Sequence, residues 1–364
     1  MNANFVNVIG YQFERVHTGV IKWLLDTDNT DVHKGAKFRI LQKIYRVCGR
    51  QIPFQGEDIQ SITCKPEYAF GRRRKIDLVV EIELAQKKEK HFLVIEMKVD
   101  SIPYKEQLQG TRIDFRAQLG RNDENKIDDD ILFLLFLLGS AQVCETPAEL
   151  HHFHVFRLPE ILEVFDGLII DKYVYRDWID ALKEELGRLT DIGTAIEGSP
   201  AFNEPEAEAY WRKKGYRIWQ PLYFYIYHAL KRHAANPAEW DIYSGLNNPV
   251  MNLKGTVDKR INGVCQIGFY WEFNYEEFIL KARLDGESRL TPDELDALKK
   301  KVAALCESTR SIHDKGQPKN TRYGTHVSLY KWDFDFKNGD FASIMKKVEA
   351  IVAYLRPRLE QEAF

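Results

Sequence analysis

Cysteine is scarce in this chain, and its spacing rules out the structural uses of cysteine. The five residues Cys48, Cys64, Cys144, Cys265 and Cys306 are odd in number and widely separated, with no C-x-x-C. Neither a disulfide framework nor a cysteine-based zinc site is expected, and a reducing cytoplasm suits such usage. Long apolar runs are missing too. The longest, ILFLLFLLG near residues 131–139, is far below the ~20 residues that span a bilayer. The opening MNANFVNVIGYQFERVH carries no basic n-region and no long apolar stretch, so neither a secretory signal nor a membrane association is expected. No sign of charge dominates: 52 basic against 54 acidic side chains give a formal net charge of −2. A nucleic-acid partner would therefore have to be held by a local patch. Repeats and low-complexity tracts are also absent. What is there is an ordinary globular composition, 44 % hydrophobic and 29 % charged over 364 residues, enough for two domains with cores of their own.

The apolar positions of FERVHTGVIKWLLD, residues 13–26, repeat at helical spacing through Phe13, Val16, Val20 and Leu24. Glu14, His17 and Thr18 form the adjoining polar edge. DTDNTDVHKG breaks the pattern, and a second helix follows through Phe38, Leu41, Tyr45 and Cys48 to a stop at Gly49. A strand near Ser61–Phe70, a hairpin, a helix within SIPYKEQLQGTRIDFRAQLG, a buried strand at Ile131–Leu138, a strand near His152–Arg157 and a helix near Tyr173–Leu189 complete the first half. This order predicts an α/β fold with helices over a mixed sheet. The turn-rich TDIGTAIEGSPAFNEPEAE, residues 190–208, marks a boundary between a domain of 1–195 and a C-terminal α/β domain of 200–364. In the second domain, WQPLYFYIYHALKRH reads as an aromatic helix and Cys265–Phe273 as an alternating strand. TPDE, Thr291 to Glu294, is a capping box that opens a helix running through Cys306. THVSLYKWDF and a helix ending near Arg358 close the chain.

The hairpin carries the chemistry. In RKIDLVVEIELAQKKEKHFLVIEMK, residues 74–98, side chains alternate between two sheet faces. Ile76, Leu78, Val80, Ile82 and Leu84 share an apolar face with Leu93, Ile95 and Met97. The other face bears Asp77, Glu81, Glu83, Glu96 and Lys98 among Val79, Phe92 and Val94. With its tip near Gln86–Lys87, Asp77 falls opposite Glu96. Two carboxylates about 5 Å apart repel by roughly 3 kcal/mol at an effective dielectric near 20. Something positive must stand between them: Lys98, two residues on, or a divalent cation. An isolated E-x-K triplet is also what a surface ion pair on a half-exposed sheet looks like.

Four ordered blocks move the balance. ERVHTGVIKWLLD with VHKG, then KIDLVVEIE, then VIEMKVDSIPYKEQLQ resemble the PD-(D/E)XK nuclease superfamily, in particular its bacterial branch with E-x-x-H-T, ID, IE-x-K-V and P-Y-K-E-Q-L. The resemblance covers about residues 10–140 and implies a restriction-endonuclease-like core of helix, three strands, helix and strand. It implies a metal-dependent phosphodiesterase acting on DNA rather than RNA, in defence against foreign DNA or in DNA processing. Asp77 and Glu96 would be the metal-binding carboxylates, and Lys98 would position the attacking water and stabilise charge on the phosphate. Glu14 would be the first-helix acid of the metal shell, Gln107 the glutamine of the helix after the motif, and Mg²⁺ the cofactor, with Mn²⁺ substituting. Two positions depart from the pattern: Ile76 precedes Asp77 where a Pro often stands, and Thr111 occupies the place of a Tyr. A module that keeps the nuclease fold but only binds nucleic acid or a protein is the alternative. The C-terminal domain would serve substrate choice, a partner protein or a homodimer.

Weaker signals have competing explanations. Glu124-Asn125-Lys126 is a second E-x-K, but its Asn/Asp-rich surroundings read as a solvated loop. Arg72, Arg73, Arg74 and Lys75 precede Asp77 and either contact phosphates or keep a sheet edge soluble. His151, His152 and His154 lack an acidic or cysteine partner at ligand spacing and read as a strand entrance. The aromatic and basic stretch AYWRKKGYRIWQPLYFYIYHALKR is either a stacking surface for single strands or core.

Overall fold

In the computed structural model the described residues are 4–70, 74–85, 89–99, 101–103, 105–121, 128–144, 152–198, 223–244, 248–261, 265–285, 290–336 and 340–362. The chain divides into two compact units, Met1–Ile192 with Trp211–Pro221, and Gly193–Tyr210 with Leu222–Phe364.

The first unit opens with a short helix α1 (Phe5–Ile9), followed by α2 (Glu14–Leu25) and α3 (Lys34–Val47). Val16, Val20, Ile21, Leu24 and Leu25 bury the α2 stripe, and Glu14 in the first turn favours the positive end of the helix dipole. Three residues differ from the sequence expectation. Phe13 is the N-cap and is about half exposed, while His17 and Thr18 are buried rather than forming a polar edge. The turn into α3 is tied by the buried Lys37, whose Nζ donates to the carbonyls of Asp26 at 2.5 Å and Asn29 at 2.6 Å. Gly49 ends α3 at a φ of +70°, the left-handed conformation glycine adopts without a Cβ penalty.

Strands β1 (Ile59–Phe70), β2 (Arg74–Leu84), β3 (Lys90–Val99), β4 (Ile131–Leu138) and β5 (Phe153–Phe156) make a sheet in the order β1-β2-β3-β4-β5. The first three pair antiparallel; β3-β4 and β4-β5 are parallel. The sheet is therefore mixed, and a parallel neighbour requires a crossover, which α4 (Lys105–Gln118) supplies between β3 and β4. All of β4 and all of β3 except Lys90 are buried, as strands covered on both faces must be. Leu108, Thr111 and Phe115 form the buried stripe of α4, at i, i+3 and i+7. Leu108 and Phe115 join a core with Val79, Phe92, Val94 and Phe133. The helices α5 (Leu158–Phe165) and α6 (Tyr173–Gly198) follow β5. α6 runs past Leu189 to Gly198, into the segment that looks turn-rich.

In the second unit β6 (Trp240–Ser244), β7 (Pro249–Leu253), β8 (Val257–Ile261), β9 (Cys265–Asn274), β10 (Glu277–Asp285), β11 (Gly316–Pro318), β12 (Arg322–Tyr323) and β13 (His326–Asp333) form a sheet. Every ladder in it is antiparallel. Helices Tyr223–Arg232, Pro292–Glu307 and Phe341–Gln361 belong to the same unit. Cys265, Ile267, Phe269, Trp271 and Phe273 alternate into its core. The expected capping box is present: the Thr291 hydroxyl accepts from Glu294 N–H, while Thr291 N–H donates to the Glu294 carboxylate. Tyr223, Phe224 and Tyr227 are buried, so this part of the aromatic stretch is core and not a stacking surface. Its earlier part lies outside the described residues. No helix among the described residues is long and apolar enough to cross a membrane.

Candidate functional site

The β2-β3 ladder runs from Glu83 opposite Lys90 to Leu78 opposite Ile95. One step further along both strands stand Asp77 and Glu96, the register expected from the hairpin pattern. There the Asp77 side chain takes the place of a ladder partner, its Oδ2 accepting the Met97 N–H at 2.7 Å. Across the other ladder, Pro66 faces Leu78 and Tyr68 faces Ile76, so Glu67 comes opposite Asp77. Glu67 holds a φ of 48°, an uncommon value for a non-glycine residue. Its carboxylate pairs with Arg15 at 2.8 Å and Lys75 at 3.8 Å.

Two acids on this sheet face behave in opposite ways. Glu81 is bracketed by Lys65 at 2.6 Å and Lys90 at 2.5 Å. Burial works against its charge, but the two lysine hydrogen bonds outweigh it and hold the carboxyl below its ordinary value. Glu81 is thus held in a structural ion pair. Glu96 is 1 % exposed. Thr111 Oγ1 donates to its Oε1 at 2.8 Å, while the buried Oε2 has no hydrogen-bond partner among the described residues. Burial, then the neighbouring Asp77 charge, push the Glu96 carboxyl up to about 8; Lys98 and the Thr111 hydroxyl pull the other way. The Asp77 charge next to this buried carboxyl makes a second negative charge on Glu96 costly unless a proton or a cation offsets it.

Lys98 is 8 % exposed, and its Nζ stands 4.0 Å from Glu14 Oε1. Glu14 enters from the start of α2. Burial raises its carboxyl above the ordinary range, with Lys98 opposing and Asp77 reinforcing; the Val99 N–H and Ser101 hydroxyl also favour its charged form. The structure thus brings Glu14, Asp77, Glu96 and Lys98 together. Gln107 lies one turn before Thr111 on α4, half-buried, and it is Thr111 rather than Gln107 that touches Glu96. Sequence reasoning passed Thr111 over, although its place four residues after Gln107 marked it. Arg72 and Arg73 lie outside the described residues, as do Glu124, Lys126, His151 and the hairpin tip. Arg74 begins β2, and Lys75 is exposed and turned to Glu67. His154 sits half-buried in β5.

His17 has a structural post. Its Nε2–H donates to the Tyr11 carbonyl at 2.6 Å and its Nδ1 accepts from Trp178 Nε1–H at 3.1 Å, which sets one neutral tautomer. Burial, only partly offset by the Tyr11 carbonyl, lowers it from 6.5 to about 4. The folded value lies below the unfolded one, so this stability is present above pH 6.5 and lost as the pH falls toward 4. The loss amounts to about 3 kcal/mol at 1.36 kcal/mol per unit. Wild type should therefore lose stability relative to His17→Gln across that window, as read by denaturant melts at several pH values. Parallel curves would contradict it.

The residues present fit a hard divalent cation. Their donors are carboxylate oxygens, one is buried without a hydrogen-bond donor, and Mg²⁺ is commonly held by one or two carboxylates plus water and substrate oxygens. No group of three or more His, Cys, Asp or Glu among the described residues makes a ready-made metal shell, so water or substrate would complete the coordination. Comparisons with protein-family models, curated proteins and solved structures found no match.

Proposed function

We infer that the first unit is a metal-dependent nuclease of the PD-(D/E)XK kind, cleaving phosphodiester bonds in DNA rather than RNA. The observation that carries this reading is the buried Glu96 carboxyl with a donorless oxygen, the half-buried Asp77 carboxyl next to it and Lys98 nearby. A structural ion pair would have spent those oxygens, as Glu81 has spent its own on Lys65 and Lys90. Asp77 and Glu96 would hold Mg²⁺ or Mn²⁺, with Glu14 reaching the shell directly or through water. Bound there, the cation would neutralise charge on the phosphate and make water more acidic.

The remaining work falls to this chain's own side chains. Lys98 places a fixed positive charge where the phosphate gains negative charge, and its ammonium orients the attacking water. Glu14 keeps Lys98 on that side of the sheet. Burial raises its carboxyl above the ordinary range, with the Lys98 charge opposing. Low solvent exposure of Glu96 and Lys98 strengthens each charge effect relative to water.

The test is incubation of the full chain with circular single- and double-stranded DNA and RNA, with Mg²⁺, Mn²⁺ or EDTA. Cleavage of a DNA circle with either metal, abolished by EDTA, is expected, and circles also distinguish endonucleolytic from exonucleolytic attack. Binding without cleavage under every condition would favour the alternative, a silent module on the same fold.

A further inference from the structure

The geometry points to Thr111 as a positioning residue that limits Glu96 to a single metal-facing oxygen and so selects Mg²⁺ or Mn²⁺ over Ca²⁺, an inference that rests on the nuclease reading above. Thr111 is 4 % exposed and faces the sheet between Leu108 and Phe115. A threonine inside a helix commonly returns its hydroxyl to the carbonyl four residues back. Here Oγ1 instead crosses to Glu96 Oε1 at 2.8 Å, so a helix held by Leu108 and Phe115 in the core fixes one carboxylate oxygen. The other, Oε2, remains buried and without a partner among the described residues.

That division of the carboxylate has a chemical consequence. Ca²⁺ accepts both oxygens of a carboxylate and takes six to eight ligands in loose geometry, whereas Mg²⁺ demands near-octahedral coordination at shorter distance. With Oε1 held in place by Thr111, a two-oxygen grip by a large ion would have to draw Oε1 away from that hydrogen bond, whereas binding through Oε2 alone leaves it intact and suits the smaller ion. Outer-shell partners of this kind commonly govern metal affinity. A tyrosine at this position would bring its hydroxyl from much further out, so the threonine is matched to a short reach.

Thr111→Ser and Thr111→Ala isolate the effect, because both lose the γ-methyl group and differ only in the hydroxyl. Calorimetric titration of Mn²⁺ and of Ca²⁺ into each full-length protein, beside melting curves, is the measurement. Thr111→Ser should bind Mn²⁺ within about 2-fold of wild type. Thr111→Ala should bind Mn²⁺ roughly 10-fold more weakly, with Ca²⁺ weakened less, so that the Mn²⁺/Ca²⁺ preference narrows. A general loss of packing would instead lower stability in both variants and leave that ratio unchanged. Equal Mn²⁺ affinity and equal Mn²⁺/Ca²⁺ ratios in the Ser and Ala proteins overturn the role of Thr111 while leaving the nuclease reading intact. A wild type that binds neither ion, even with DNA present, overturns both.

Discussion

Replacing Lys98 with alanine should lower cleavage by ~10²–10³, comparable to losing one preorganised charge-stabilising donor, while metal affinity holds or rises. The two effects separate because Lys98 and the carboxylates have opposite relations to a cation. Lys98 lowers the carboxyls of both Glu14 and Glu96, so it competes with a metal for the same negative charge. Its removal also lets protons hold those carboxyls more tightly, so the metal affinities of the two proteins are compared over a series of pH values. Asp77→Ala and Glu96→Ala, by contrast, remove anionic ligands and should weaken metal binding and cleavage together. A purely structural ion pair would make Lys98→Ala chiefly a stability defect. Cleavage assays, Mn²⁺ titrations and melting curves on the three variants distinguish these outcomes, and an active Lys98→Ala protein would contradict the mechanism.

Relative to Glu96→Gln, the metal-free protein should lose stability as the pH rises from about 4.5 to about 8. The folded carboxyl, at about 8, lies above its ordinary value of 4.5. Its stabilising contribution is therefore complete below pH 4.5 and is lost as the pH rises through 8. The difference corresponds to an upper limit of order 5 kcal/mol at 1.36 kcal/mol per unit. His17 works in the opposite direction between pH 6.5 and 4, but both proteins carry it and it cancels in the difference. Denaturant melts in EDTA at half-unit pH steps measure the effect. Equal pH dependence of wild type and Glu96→Gln would show that the carboxyl is not held in this way. Added Mg²⁺ should restore the wild type and not the variant, because the cation replaces the proton.

The placement of Asp77 opposite Glu96 was legible because strand alternation and a short hairpin are local. Two apolar runs and the distance between them sufficed for the register, one step beyond Leu78 and Ile95. Glu14 was reachable through the family resemblance alone, since nothing local links α2 to β3. Thr111 was not legible as a partner of Glu96: the contact spans 15 residues and a helix-strand packing that no periodicity specifies. The burial of His17 similarly depends on Trp178, 161 residues away. α5 was missed although Pro159 and Glu160 in LPEILEVF carry a helix-start signal. Of the second sheet, β9 and β13 show apolar alternation, whereas VDKRI in β8 has only its two ends buried and leaves little pattern to read.

The most direct measurement is a calorimetric titration of Mn²⁺ into the metal-free full chain at pH 7, in two buffers of different ionisation heat. One site per chain is expected, with about one proton released per ion as Glu96 gives up its hydrogen, and with the site lost in both Asp77→Ala and Glu96→Ala. A wild type that binds no Mn²⁺ even in the presence of DNA, or binding that survives in both variants, would contradict the assignment of Asp77 and Glu96 as the centre of the site.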